Sequence, residues 1–189
     1  MRYSAEHKED TRRRIVEAAG ATAKKHGFGT TGVDGLMGAA GLKGSSFYHH
    51  FASKQDLLGE VIQAELEGSR ERFACKPDAS KQDALKQALA YMSVRHIESP
   101  EEGCVLPSLS AEVARSSDEV KKIYEDSIKS IQREINKAVD DGNTTWALLA
   151  MSIGAVTMAR AMSSDRSRDE VLKACRLSAK RMFEALEDQ

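Results

Sequence analysis

Residues 27–58 bring hydroxyl, imidazole, phenol and amine side chains together in a stretch rich in glycine, which reads GFGTTGVDGLMGAAGLKGSSFYHHFASKQDLL. Its apolar residues can close a small core, which leaves the polar side chains outside, where they can hydrogen-bond to phosphates or to the edges of bases. The sequence around Gly41 predicts a tight turn between two short helices, because glycine adopts the positive φ that a rapid reversal requires. The segment therefore predicts a helix-turn-helix.

The histidines and cysteines do not form a pattern typical of a metal site or a disulfide framework. His49 and His50 are adjacent, so on a helix they point about 100° apart and cannot share a metal in the usual i, i+4 arrangement. The three cysteines, Cys75, Cys104 and Cys175, are widely spaced and include no C-x-x-C pair. We therefore predict no metal, no cofactor and a reducing, cytoplasmic setting.

The composition favours an all-helical protein. The 189 residues include three prolines, and 5% are aromatic, which argues against sandwiches and barrels. A Ser or Thr followed three residues later by an acid predicts capped helix starts at Thr31, Ser53, Ser80, Ser116 and Ser167. With hydrophobic periodicity, these signals predict helices at about 5–26, 32–39, 44–50, from 53 toward 76, 80–98, 104–115, 117–140, 144–163 and 167–187.

Positive charge is concentrated toward the amino-terminal end of the sequence. Residues 1–59 carry nine Lys and Arg against six Asp and Glu, although the whole chain has a net charge of −1. A basic segment that coincides with a helix-turn-helix suits nucleic acid as a partner. The first ten residues contain no apolar run typical of a signal peptide. The apolar stretch 146–162 contains Arg160 and is shorter than the roughly 20 residues that a bilayer requires, so we predict no membrane partner.

Four linked motifs occur within residues 8–58. In chain order they are Gly-Phe-x-Thr-Thr at 27–31, Ala-Ala-Gly-Leu at 39–42, Phe-Tyr-x-His-Phe at 47–51 and Ser-Lys-x-x-Leu at 53–57. With these motifs the segment resembles the DNA-binding domain of the TetR family of bacterial transcriptional repressors. The resemblance implies an all-α regulator rather than an enzyme, with a three-helix DNA-binding domain at residues 1–52 and a helical bundle for ligand binding and dimerisation at residues 53–189.

The resemblance also implies roles for individual residues. Thr31 matches a position that faces a phosphate, and Tyr48 and Lys54 match phosphate contacts. Lys43, with Ser45 and His49, is a candidate for base edges on or just before the recognition helix. Lys43 stands where the family usually has Ser or Thr, so we expect the recognition helix to lack a side-chain cap worth about 1 kcal/mol. The predicted DNA-binding residues are Thr30, Thr31, Lys43, Gly44, Ser45, Ser46, Tyr48, His49 and Lys54.

The five longer helices beyond Pro77 are expected to regulate and dimerise the protein. We predict a homodimer through the last two helices, where the small residues Gly154, Ala155 and Ala159 allow close approach of a partner helix, on a roughly palindromic double-stranded DNA operator. A small-molecule or electrophile effector would weaken operator binding. The predicted pocket residues combine apolar bulk with few polar groups: Met92, His96, Cys104, Leu106, Tyr124 and Trp146.

Other classes of function stay open on the sequence alone. In a helical thiol-dependent enzyme Cys104 would be the nucleophile and His96 the base, although no orienting third group or oxyanion motif is visible. Cys104 stands at a predicted helix start, where the helix dipole can lower a thiol pKa, so it is also a candidate redox or electrophile sensor. A purely scaffolding bundle would leave the recognition motifs without a role.

Overall fold

The structure is a computed structural model that describes residues 5–73 and 79–187. Across these residues every regular element is a helix, which confirms the all-helical prediction. The α-helices are α1 (Ala5–His26), α2 (Val33–Ala39), α3 (Lys54–Phe73), α4 (Lys81–Tyr91), α5 (Val94–Glu98), α6 (Leu106–Val113), α7 (Asp118–Val139), α8 (Gly142–Ala161) and α9 (Asp165–Glu187). Two 3₁₀ helices, Gly44–His49 and Pro100–Glu102, complete the set.

Side-chain capping explains where two of these helices begin. Ser80 and Asp83 form a complete capping box at the start of α4, as the sequence predicted. At the start of α3, the Asp56 amide donates to Ser53 Oγ at 3.0 Å, and the Asp56 carboxylate accepts from the amide of Ala52 at 3.0 Å. Both helices therefore start where a side chain satisfies an amide that lacks an intrahelical partner.

Two other predicted caps are displaced along the chain. The predicted cap at Ser116 was wrong by one residue, because it is Ser117 Oγ that accepts from the amide of Val120, at 3.4 Å. The predicted cap at Ser167 was wrong because the Ser167 amide itself donates to Ser164 Oγ at 3.2 Å. Neighbouring serines compete for the same orphan amides, and sequence spacing alone does not decide between them.

The predicted helix at 80–98 is interrupted in the structure. Ser93 is extended, with φ −124° and ψ 156°, and its hydroxyl accepts from the His96 amide at the start of α5. A serine that caps a new helix in this way ends the preceding one, so α4 stops at Tyr91. The segment predicted as 104–115 is also shorter, and α6 begins at Leu106, which leaves Cys104 ahead of the helix.

The described residues divide into two compact units, and the first contains the helix-turn-helix segment. It comprises residues up to Gly68 together with Pro100–Ser127, and it therefore extends past the predicted domain boundary at residue 52. In this unit α1 packs against α2, α6 and the second 3₁₀ helix. The largest side chains wholly buried in this unit are Ile15, Leu36, Met37, Phe47, Phe51, Leu57, Ile62, Leu66 and Leu109.

The second unit contains Ser69–Ser99 and the chain from Ile128 onward, within the residues described. Here α8 and α9 pack side by side, and α4 contacts both. Ala155 and Ala159, which the sequence predicted to face a partner helix, are buried within this unit at 2% and 0% exposure. That expectation was wrong, because these two small residues pack against neighbouring helices of the same unit and do not lie on the outer face of α8. None of the helices in 5–73 and 79–187 combines the length and the apolar character needed to cross a membrane.

Candidate nucleic-acid interface

The turn that follows α2 has the geometry of a helix end closed by glycine. The Leu42 amide donates to the Met37 carbonyl at 3.0 Å, and the Gly41 amide donates to the Gly38 carbonyl at 2.9 Å. Gly41 has φ +73°, the left-handed conformation that this pair of bonds requires. The chain therefore reverses within two residues, as the sequence predicted, and the next helix begins at Gly44.

The segment after the turn is a 3₁₀ helix of six residues, Gly44–His49, where the sequence predicted a short helix over 44–50. It begins beside α2 at very close range, because a Cβ on Gly44 would meet the Asp34 carboxylate and lie 3.2 Å from Asp34 Cα. Lys43 stands at the cap position without a side-chain cap, as expected, while Ser46 Oγ donates to the Lys43 carbonyl at 2.7 Å. A side chain at position 44 would thus require both the carboxylate and the backbone of Asp34 to shift.

Phe47 and Phe51 hold this 3₁₀ helix on the first unit. Their side chains are 0% and 1% exposed, and their ring centroids lie 5.5 Å apart. The guanidinium of Arg12 lies over the Phe51 ring, 4.4 Å from its centroid. Both rings are therefore core residues, as predicted, and are not available to stack on bases.

The opposite side of the 3₁₀ helix is open to solvent. Tyr48 is 75% exposed, although it is a large aromatic residue, and its ring meets Phe47 edge-on with centroids 5.2 Å apart. Lys43, Ser45 and His49 are exposed as well. The structure thus brings one cation, one hydroxyl, one phenol and one imidazole onto the 3₁₀ helix and the cap position before it. We call these four residues the reading surface: Lys43, Ser45, Tyr48 and His49.

The two threonines before α2 do not cap that helix. Thr31 Oγ1 donates to the Gly27 carbonyl at 2.7 Å, and Thr30 Oγ1 donates to the His26 carbonyl at 2.6 Å. The cap position of α2 is Gly32, which provides no side-chain hydrogen bond. The predicted capping role of Thr31 was therefore wrong, because the free carbonyls at the end of α1 hold both hydroxyls.

Lys54 lies at the same loop as these threonines. Its ammonium donates to the Gly29 carbonyl at 3.2 Å and lies 5.0 Å from the centroid of the Phe28 ring. A hydrogen bond and a cation–π contact hold its position without neutralising its charge. Lys54 thus offers a positioned cation beside Thr30.

The arginines of α1 have different surroundings. Arg12 bonds to the Glu60 carboxylate, with Nε 3.0 Å from each carboxylate oxygen, and this hydrogen bond raises the pKa of Arg12. Arg13 pairs with Asp10 at 2.5 Å on the surface. Arg12 therefore links α1 to α3, and this structural role weakens the case for Arg12 as a phosphate contact.

Two polar links in the first unit could not be found from the sequence. The Lys24 ammonium bonds to Glu65 Oε2 at 3.0 Å and to the Gly103 carbonyl at 3.2 Å. The carboxylate of Glu112 accepts from the backbone amide of Phe28 at 2.9 Å. The partners are at least 41 residues apart in the chain, so no local spacing signals them.

The six predicted pocket residues divide equally between the two units. Cys104 and Leu106 are buried in the first unit, where the Tyr124 hydroxyl lies 2.9 Å from Ser110 Oγ, and burial raises the pKa of Tyr124. In the second unit Met92 is wholly buried and Trp146 is 40% exposed, while the His96 ring meets Tyr91 edge-on with centroids 4.4 Å apart. Of the other two cysteines, Cys175 is half-buried and Cys75 lies outside the described residues.

The sequence pattern of the bacterial regulatory proteins of the tetR family matches residues 15–61. These residues hold most of α1, the glycine turn, the reading surface and the start of α3. This stretch of the chain therefore matches the TetR family. TetR-family proteins are DNA-binding transcriptional regulators, so the reading surface lies in the part of the chain that the family uses to bind DNA.

Known proteins resemble this chain along most of its length. The HTH-type transcriptional repressor DhaR of Mycobacterium sp. (strain GP1) is 23% identical over 136 residues, which are 70% of this chain and 69% of DhaR. A TetR transcriptional regulator from Chloroflexus aurantiacus J-10-FL has a similar structure, with a TM-score of 0.73, 22% identity and coverage of 97% of this chain and 98% of that one. The reduced form of E. coli NemR gives a TM-score of 0.70 at 20% identity, covering 92% and 97%. The TetR-like fold therefore continues beyond the DNA-binding segment.

Proposed function

We propose that this TetR-family regulator is a homodimeric repressor that binds a palindromic operator and is released by a small-molecule or electrophile effector. The observation that carries the proposal is the arrangement of the 3₁₀ helix, which buries Phe47 and Phe51 and turns the reading surface outward. Burial of large side chains on one face fixes the helix, so the polar face can dock on DNA without loss of the core.

The chemistry of the reading surface supports distinct roles within it. Lys43, Ser45 and His49 have the donors and acceptors that read base edges in the major groove. Tyr48, with its exposed phenol, and Lys54, which the Gly29 carbonyl positions, suit phosphate oxygens, which set affinity and register. Thr30 and Thr31 lie in the same loop, where their amides rather than their occupied hydroxyls would face a phosphate.

The outer face of α8 supports a homodimer. Ala147, Ala150, Met158 and Ala161 are exposed, and a Cβ on Gly154 would meet no atom within 4 Å. These residues recur at helical spacing, so they form one apolar face, small except at Met158, that a partner helix can approach closely. TetR-family regulators act as dimers, and a two-fold dimer presents two reading surfaces to a palindrome.

The identity of the effector is less constrained. TetR-family regulators bind small molecules, and the six predicted pocket residues stay our candidates for contacts with one. Cys104 is 5% exposed, which favours a non-covalent ligand over an electrophile, because an attacking thiol needs access. The family and its named relatives are regulators, which argues against the thiol-enzyme interpretation.

The deciding experiment is selection of fragmented genomic DNA by the purified full-length protein at near-physiological salt, followed by sequencing and titration. We expect a palindromic site bound at least roughly a thousandfold more tightly than scrambled DNA. His49→Ala should relax the preference for bases in each half-site, whereas His26→Ala, which removes an exposed imidazole at the end of α1, should leave it unchanged. Failure to enrich any site, with the protein folded and dimeric, would overturn the proposal.

A further inference from the structure

An open groove runs along α9 in the second unit. It lies between α9 and the residues that join α4 to α5, and encloses about 580 Å³, within the range of about 300–1,000 Å³ typical of small-molecule sites. We call it the α9 groove and define it by its apolar residues Met92, Val94, Leu172 and Leu177 and its charged residues Asp169, Lys173, Arg176 and Lys180.

The floor of the α9 groove is apolar and partly uncovered. Met92 and Leu172 are buried, but Val94 and Leu177 are 49% and 47% exposed. Most large aliphatic side chains of this chain are buried. Val94 and Leu177 are exceptions, and both line the same concave site. Contiguous exposed apolar surface of this kind marks binding sites in folded proteins.

The rim of the α9 groove is cationic. Lys173, Arg176 and Lys180 are three and four residues apart on α9 and therefore share one face of the helix. Arg176 is held in place by hydrogen bonds from Nη1 to the carbonyls of Leu89 at 2.7 Å and Met92 at 3.1 Å. Carbonyl partners fix the guanidinium but leave its positive charge without a compensating carboxylate.

The two lysines add to this charge. Neither Lys173 nor Lys180 forms an ion pair within residues 5–73 and 79–187, and the single acid of the groove is Asp169. Three cations against one carboxylate make the rim attractive to an anion. An anion on the rim would have the apolar floor directly beside it.

We propose that the α9 groove binds an anionic amphiphile, a small molecule with a carboxylate head and an unbranched alkyl tail. The head lies against Lys173, Arg176 and Lys180, where charge-assisted hydrogen bonds are available. The tail covers Val94 and Leu177 and removes their apolar surface from water. This inference is independent of the operator, because the groove contains none of the residues of the reading surface.

The test uses the full-length protein without DNA and sodium dodecanoate as the probe, below its micelle concentration. Calorimetric titration should show saturable binding, and dodecanoate should raise the melting temperature, as a ligand of the native state does. Dodecylammonium, with the same tail and the opposite charge, should bind at least tenfold more weakly. Added salt should weaken dodecanoate binding, since the head is held by charge.

Variants locate the site. Lys173→Gln and Lys180→Gln should each weaken dodecanoate binding about fivefold, and Leu177→Ser should weaken it as well. Arg181→Gln is the matched control, because Arg181 is an exposed cation on α9 outside the groove, and its affinity should equal that of the wild type. Three results would overturn the proposal: no saturable binding, equal binding of dodecylammonium, or a Leu177→Ser variant that binds normally but loses its dimer, which would assign the groove to a second copy of the chain.

Discussion

The carboxylate of Glu112 on α6 accepts a 2.6 Å hydrogen bond from the backbone amide of Gly29. Its other oxygen accepts from the amide of Phe28 at 2.9 Å, so one side chain satisfies two successive amides just beyond α1. The same loop continues into Thr30 and Thr31. The position of α6 is thereby tied to the loop that leads into the helix-turn-helix.

Replacing Glu112 should loosen this loop. We expect Glu112→Ala to lower the free energy of unfolding by about 1–3 kcal/mol, because two amides lose charged acceptors, and Glu112→Gln, which keeps one carbonyl oxygen, to lose less. Urea unfolding measures both variants. Glu9→Ala removes an exposed acid from α1 in the same unit and should be neutral. Equal stability of all three variants would mean that the Glu112 bonds contribute nothing.

A methyl group at Gly44 should disturb the reading surface. In Gly44→Ala the new Cβ meets the Asp34 carboxylate, which can swing away, and the Asp34 backbone, which must also shift. We expect operator affinity to fall at least tenfold, measured by fluorescence anisotropy. In Gly38→Ala the added Cβ meets nothing within 4 Å, so this helical control should gain about 0.5–1 kcal/mol of stability. Unchanged affinity in Gly44→Ala would contradict the close approach of the two helices.

Breaking the Lys24–Glu65 ion pair should be costly. The two side chains are 6% and 19% exposed, so Lys24→Met removes the cation that faces a largely buried carboxylate and should destabilise the protein by about 3 kcal/mol. The double variant Lys24→Met/Glu65→Gln also removes the carboxylate charge and should recover part of the loss. Chemical denaturation of the double variant and of the two single variants, Lys24→Met and Glu65→Gln, gives the coupling. A double variant as unstable as the sum of its single changes would argue against a direct interaction.

A charge on the outer face of α8 should separate the dimer. We expect Ala150→Glu to shift the protein to monomer in analytical ultracentrifugation and to weaken operator binding, because two like charges would meet across the two-fold axis. Ala64→Glu is the matched control, an exposed alanine on α3. A dimer that survives Ala150→Glu intact would move the interface away from this face.

Local signals in the sequence predicted the helices well but not the contacts between them. The Ser80–Asp83 capping box and the glycine turn at Gly41 depend on a few neighbouring residues, and both occur as predicted. Thr31 fits a capping pattern equally well, yet its hydroxyl donates to the Gly27 carbonyl just after α1 and does not cap α2. Competition between two nearby helix ends is decided by backbone geometry, which spacing does not encode.

In the candidate site too, local features could be predicted from the sequence and long-range contacts could not. Phe47 and Tyr48 are adjacent aromatic residues, and their opposite exposures, 0% and 75%, followed from the motif in which they stand. The hydrogen bonds of Glu112 to Phe28 and Gly29 span 84 and 83 residues. Such pairs depend on how α6 returns to α1, which no single stretch of the chain specifies.

The 3₁₀ helix of six residues has a consequence for how such regulators diverge. Phe47 is the buried side chain that packs this helix against the core, whereas Lys43, Ser45 and His49 are exposed. With the proposed DNA contacts, substitutions at these outer positions would change what is read on DNA with little effect on folding. Gene duplication followed by a few such substitutions could therefore yield a regulator with a new target set on an unchanged scaffold.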